Sequence, residues 1–218
     1  MQPLPIFRFF CLLAATATSV GMGATAGKAG GNELVIAANG KTRALIVVSP
    51  GAGANEKQAA SDLARYIGLM CGTTPAIANT GVAIKEAMAG KVPKLVVGEA
   101  ALKAQPKLRG ALAGVLKKKP HLRTDGIVLR REGDRVYLAG NNDLSHYFAV
   151  AELLRRWGCR WYIPTDFGEC IPEERNLKVG VLDHVYSSPF EIRSHWISWM
   201  GDNTGQQEFQ MRNMLTGR

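Results

Sequence analysis

Metal and redox signatures are missing from this 218-residue chain: neither HExxH nor CxxC occurs, and no Cys/His spacing fits a structural zinc site. Long apolar runs are missing too. The nearest approach, "FFCLLAATATSVGMG" over 9–23, is too short and too rich in Ala, Gly and Thr to cross a bilayer comfortably. Aromatic residues make up only 7 % of the chain, so their distribution is informative: Trp157, Trp161, Tyr162 and Phe167 fall within eleven positions. Nucleic-acid binding needs a coherent basic stripe with aromatics interleaved. Here the basic residues are spread over several expected elements, with one run at Lys117-Lys118-Lys119, so a nucleic-acid partner is not expected.

What is present at the amino terminus has the form of an export signal. Arg8 is the only charge before the apolar run, and Ala24-Thr25-Ala26 supplies a small-x-small cleavage pattern, so residues 1–26 read as a secretory signal. An uncleaved anchor is the alternative. The mature chain is then secreted or periplasmic, with no membrane attachment after cleavage. Removing 1–26 leaves 26 basic residues against 18 acidic and a formal charge of +8. Three of the four cysteines remain, Cys71, Cys159 and Cys170, an odd number that excludes complete internal pairing. A Cys159–Cys170 disulfide is possible in an oxidising compartment, although a chain of this size can build a core without one.

Periodicity then sets out the elements. "ELVIAANG" and "RALIVVSP" predict two strands joined at the hairpin dipeptide Asn39-Gly40. "ANEKQAASDLARYIGLMCG" carries Ala59, Ala60, Leu63, Tyr66, Ile67 and Met70 at helical spacing, with Gly72 as its stop. "TPAIANT" suggests a strand, "GVAIKEAMAG" a short helix, "PKLVVGEA" a buried strand, and "ALKAQPKLRGALAGVLKKK" a helix broken near Pro106. "DGIVLRREGDRVYLAGNN" predicts a hairpin across Glu132-Gly133-Asp134. It is followed by a helix capped by Asn142 or Asp143, with Leu144, Tyr147, Phe148, Ala151, Leu154 and Trp157 on one stripe until Gly158. "CRWYIP" and "NLKVGVLDHVY" add strands, and a strand around Ile192–Ile197 precedes a helix from Gln206 to Leu215. A lone βα unit of that kind cannot bury both faces of its strand, so the closing thirty residues are expected to belong with neighbours outside the chain.

The order "DGIVLRREGDRVYLAGNND…YFAVAELLRRWGCRWYIPTDFGECIPEERNLKV…SSPFEIR" resembles the amino-terminal accessory domain of secreted glycoside-hydrolase-like proteins. That domain precedes the barrel in family 67 α-glucuronidases and β-N-acetylhexosaminidases, and in the family called domain of unknown function 4838. The resemblance covers residues 33–200. It implies an α/β (α+β) domain over 33–188, a mixed β-sheet with helices packed mainly on one face and no catalytic groups of its own. Residues 189–218 would then begin the first βα unit of an incomplete (β/α)8 barrel. It also implies a following barrel as covalent partner, a glycan or polysaccharide as ligand, and a parent acting on glycosidic bonds. One departure is Leu144-Ser145-His146, where relatives commonly carry an Arg-Gly-Thr-like sequence.

Glycoside hydrolysis needs two carboxyl groups flanking the scissile bond on rigid elements. Asp166, Glu169, Glu173 and Glu174 cluster instead in a Pro/Gly-bounded loop and read as solvated acids, so no catalytic residue is assigned. The turn "VVSPGAGANEKQAASDLA" has the strand-to-helix position of a dinucleotide site, but only Gly51 and Gly53 are present. Glu56 takes the third place, where it would repel a phosphate, so no cofactor is expected. His121, His146, His184 and His195 stand without a nucleophile and an orienting acid in any recognisable spacing. Trp161, Tyr162, Trp196 and Trp199 could stack on a sugar, and of these Trp161 with Tyr162 is the expected carbohydrate contact. The alternative for the aromatic stretch is core packing at a structural seam. A free-standing carbohydrate-binding or scaffold module is the competing function.

Overall fold

The computed structural model describes residues 33–194 and 205–216. The first short strands are β1 (Leu34–Val35), β2 (Ala37–Ala38) and β3 (Lys41–Thr42), followed by β4 (Leu45–Val47) and helix α1 (Ala54–Cys71). Next come β5 (Ile77–Ala78), α2 (Gly81–Ala89), β6 (Lys94–Val97), α3 (Gly98–Ala104) and α4 (Lys107–Val115). The hairpin β7 (Gly126–Glu132) and β8 (Arg135–Gly140) leads into α5 (Asp143–Arg156). After it lie β9 (Arg160–Trp161), β10 (Glu169–Cys170), β11 (Lys178–Val179), β12 (Asp183–Ser187) and α6 (Gln206–Arg212).

Six of the strands form one mixed sheet in the order β12-β7-β8-β6-β4-β5. β8, β6, β4 and β5 run parallel, while β7 and β12 are antiparallel additions. The parallel half follows from its connections, since a parallel neighbour needs a crossover: α1 and α2 link β4, β5 and β6, and α3, α4 and β7 lie between β6 and β8. Side chains alternate across this sheet as the period of two dictates. Ile127, Leu129, Val136 and Leu138 join the larger core with α1 and α5, whereas Val128, Tyr137 and Ala139 join a second core with α2, α3 and α4. The longer helices therefore lie on one face, and three short helices cover the other as well. The fold is a mixed α/β layer structure, as the sequence pattern implies.

Local rules account for the long helices. Asn142 caps α5 by accepting from Ser145 N at 2.8 Å, and Ser145 Oγ accepts from Asn142 N at 2.8 Å, a reciprocal capping box. Gly72 ends α1 at φ 82°, a left-handed conformation that costs a glycine little. Tyr66, Tyr147, Phe148, Leu63 and Ile67 are fully buried between these helices and the sheet. Each such side chain contributes on the order of 1.5–3 kcal/mol by leaving water.

Several expected elements come out differently. Asn39-Gly40 does turn a hairpin, but it joins only β2 to β3, and β4 enters the main sheet beside β5 and β6. "NLKVGVLDHVY" is two strands rather than one: β11 pairs with β1 and β12 with β7. Residues 192–194 carry no strand, and the remainder of the strand expected at Ile192–Ile197 lies outside the described residues. The last helix forms as α6 and packs against α5, with Phe209 and Met211 buried in the larger core. Its apolar side thus has partners inside the domain.

Candidate functional site

The crowded stretch from Trp157 to Cys170 divides by side-chain alternation. Trp161 is 4 % exposed, and its ring meets Tyr66 edge-on, 5.3 Å between centroids. Its indole Nε1 donates to Tyr66 Oη at 2.9 Å, and Tyr66 Oη donates to Glu169 Oε1 at 2.6 Å. Glu169 also accepts from Arg65 and, at 2.9 Å, from Arg212 of α6. Arg212 Nε lies 3.5 Å from Asp62, whose other partners are Tyr147 Oη and Gln58 Nε2. Burial alone would raise the Glu169 carboxyl, but the hydrogen bonds from Arg65 and Tyr66 outweigh it and hold it below the usual carboxylate range. Burial, then the bond to Glu169, pushes the Tyr66 phenol up, so it stays a neutral donor.

These contacts tie α1, α5, β10 and α6 into one half-buried polar network behind Trp161. The aromatic stretch is in that respect a seam. Sugar stacking needs an exposed ring face, and Trp161 has none, because its neighbours enclose it. Tyr162, next along the chain, points the other way and is 70 % exposed, with Phe167 at 94 % and Ile163 half-exposed beside it. The loop is held in shape by Tyr162 N donating to Gly168 O at 2.9 Å, and a side chain at Gly168 would run into Ile163.

The Cys159–Cys170 disulfide does not form; both thiols are free. The register of β9 with β10 sets Cys170 opposite Arg160, so Cys159, one residue earlier, faces the other way. Cys159 is buried beside Met70, its thiol pushed up to about 12 by burial, while Cys170 is exposed. Asp166, Glu173 and Glu174 are exposed, and of the four loop acids only Glu169 enters the network. His121 is exposed, and His184 stacks on Tyr186 at 6.2 Å between centroids. His146 is buried, accepts from Gly140 N through Nδ1 at 2.9 Å, and is held below the usual imidazole range chiefly by burial. His195, Trp196 and Trp199 lie outside the described residues.

A second cluster sits at the carboxyl ends of β4, β6 and β8. Asp143 accepts from Asn55 N at 3.2 Å and Glu56 N at 3.0 Å, capping α1 from the first turn of α5. A dinucleotide phosphate would need those same amides, so the chain's own carboxylate occupies the anion seat of the Gly51–Gly53 turn. Glu56 is 2 % exposed and accepts from Glu99 N at 3.0 Å, against Gly98, which at φ 62° brings the backbone so close that a side chain there would strike the carboxyl. Glu56 is pushed up to about 7 by burial first, with the charges of Glu99 and Asp143 adding to it. Sequence reasoning placed Glu56 only as an obstacle to phosphate; its true partners, Glu99 and Asp143, are too distant along the chain to leave a local signal.

Among the described residues no three His, Cys, Asp or Glu side chains gather in a way that could hold a metal ion. No helix among them is long and apolar enough to cross a membrane. No protein-family model matches the chain, and no curated protein matches it.

Proposed function

We propose that the chain is the non-catalytic accessory domain of a secreted glycoside-hydrolase-like protein, with the catalytic (β/α)8 barrel borne by the rest of the parent. The sequence resemblance over 33–200 motivates the reading. The observation that carries it is the exposed loop of Tyr162, Ile163 and Phe167, an apolar tip mounted on the rigid seam of Trp161 and Glu169. Isolated apolar residues on a surface are ordinary, but two exposed aromatics and an isoleucine on one short loop suit a pyranose face or an adjoining domain. The carboxylates with the most partners support an accessory role: Asp62, Glu169, Asp125 and Asp143 are each engaged by donors of the domain itself. None is left paired with another across an open cleft in the manner glycosidic hydrolysis requires.

A second reading, the free-standing carbohydrate-binding or scaffold module, is favoured by α6, whose Phe209 and Met211 complete the core of the same domain. Both readings are tested on purified residues 27–218 with a glycan array and a panel of chromogenic glycosides. The expected outcome is no turnover and glycan retention that is lost in a Tyr162→Ala/Phe167→Ala variant but kept in Trp161→Phe. Turnover by this chain that vanishes on substituting a carboxylate would overturn the accessory role. Retention unaffected by the double variant would remove the loop from either account.

A further inference from the structure

The strand order reverses between β4 and β6: the chain leaves β4 through α1 on one face, reaches β5, and returns through α2 on the other face to β6. In such sheets the carboxyl ends of the two diverging strands leave a crevice between their connections, and ligands sit there. Here Glu56, reaching from α1 to Glu99 N of α3, and Asp143 close that crevice, and a second opening remains beside it. A cleft of about 360 Å³ opens between α2 and α3, floored by Val47 and Val96 and walled by Ile84 and Met88 on one side and Ala100 and Ala104 on the other. The alanines are its cause, because their short side chains do not reach across to Ile84 and Met88. The size falls in the range of small-molecule sites.

Two polar groups mark the mouth. Ser49 is 9 % exposed, lines the cleft, and its hydroxyl makes no hydrogen bond among the described residues. That hydroxyl is not shut off from solvent, so it is free to bond a ligand at the mouth. Lys103 lines the same cleft and is likewise without a hydrogen bond or ion pair among the described residues. No carboxylate lines the cleft, so its only formal charge is positive. Apolar walls, one free hydroxyl and one unpaired ammonium are complementary to an aliphatic chain ending in a carboxylate. We propose that the α2–α3 cleft binds a medium-chain carboxylate, the chain between Ile84, Met88 and the alanines and the head group at Ser49 and Lys103.

The site is independent of the Tyr162 loop. It also gives α2 a role, since Ala87 is the only fully buried residue of that helix and an occupant would add to its contacts. Octanoate is the probe, titrated into residues 27–218 by calorimetry, with octanol as the uncharged counterpart. The expected result is one site for octanoate, abolished in Ala100→Leu, which fills the cleft without touching the larger core. In Lys103→Met octanoate should weaken by about fivefold, the loss of one exposed charge contact, while octanol is unchanged. Circular dichroism and unfolding midpoints of both variants establish that they fold. Absence of saturable octanoate binding, or binding equally strong in folded Ala100→Leu, overturns the proposal. An equal loss of octanoate and octanol in Lys103→Met overturns the assignment of the head group.

Discussion

Replacing Glu56 by Gln should make the domain more stable at pH 8 and leave it nearly unchanged at pH 5. The carboxyl is 2 % exposed and is pushed up to about 7 from an ordinary 4.5, by burial first and then by the charges of Glu99 on α3 and Asp143 on α5. The Glu99 N–H opposes the rise without cancelling it. An acid held above its ordinary value binds its proton more tightly in the folded state than in the unfolded one. The stability it confers is fully present below about pH 4.5 and is lost as pH climbs through about 7. The size of the rise corresponds to roughly 3 kcal/mol. That is a large share of the 5–15 kcal/mol typical of a domain. Glutamine keeps the acceptor for Glu99 N and removes the ionisation. Urea unfolding of residues 27–218 and of the variant, at half-unit steps from pH 5 to pH 8, measures the difference between them. Contributions from His146 and other titrating groups present in both proteins largely cancel in that difference. A gap that opens with rising pH toward roughly 3 kcal/mol is expected. A gap of constant size from pH 5 to pH 8, or one that closes, refutes the argument.

Arg212→Met should leave Asp62 without a cation and Glu169 with Arg65 alone, at a cost of about 1–3 kcal/mol. Amide exchange in 206–212 should accelerate more than in α5, and unchanged protection there would refute the bracing role. Thiol titration of native residues 27–218 should find one fast group, Cys170, with Cys71 and Cys159 reacting only once urea is added. Two mutually bonded thiols, detected by reagent uptake only after reduction, would contradict the β9–β10 register.

The elements that the sequence made legible are those whose pattern is long. α1 and α5 carry apolar stripes over several turns, and β7 with β8 alternate over their whole length, so each follows from its own residues. Short elements were harder. "CRWYIP" has the composition of a strand, but only Arg160–Trp161 pair, because Pro164 and the loop to Gly168 turn the chain away. Gly180 separates β11 from β12, which a composition argument joins. Gly-rich composition located the turn after β4 but not what fills it, since Asp143 comes from α5, packed on the same face but far along the chain. Trp161 and Tyr162 were legible as a pair, whereas their opposite fates depend on which face of a two-residue strand meets Tyr66. The cleft between α2 and α3 depends on two alanines that, in sequence, are indistinguishable from ordinary helix formers.

The Arg212 bridge also bears on the order in which the polypeptide matures. Asp62, Tyr147 and Glu169 leave the ribosome before Arg212, so until α6 emerges Asp62 has only Tyr147 and Gln58, and Glu169 only Arg65 and Tyr66. Domains tend to fold from the amino terminus as they are made, but here a helix far along the chain, α6, closes the lock on the first long helix. A nascent chain held before α6 should remain open to protease along α1, and should tighten only when the residues after Gln206 are released.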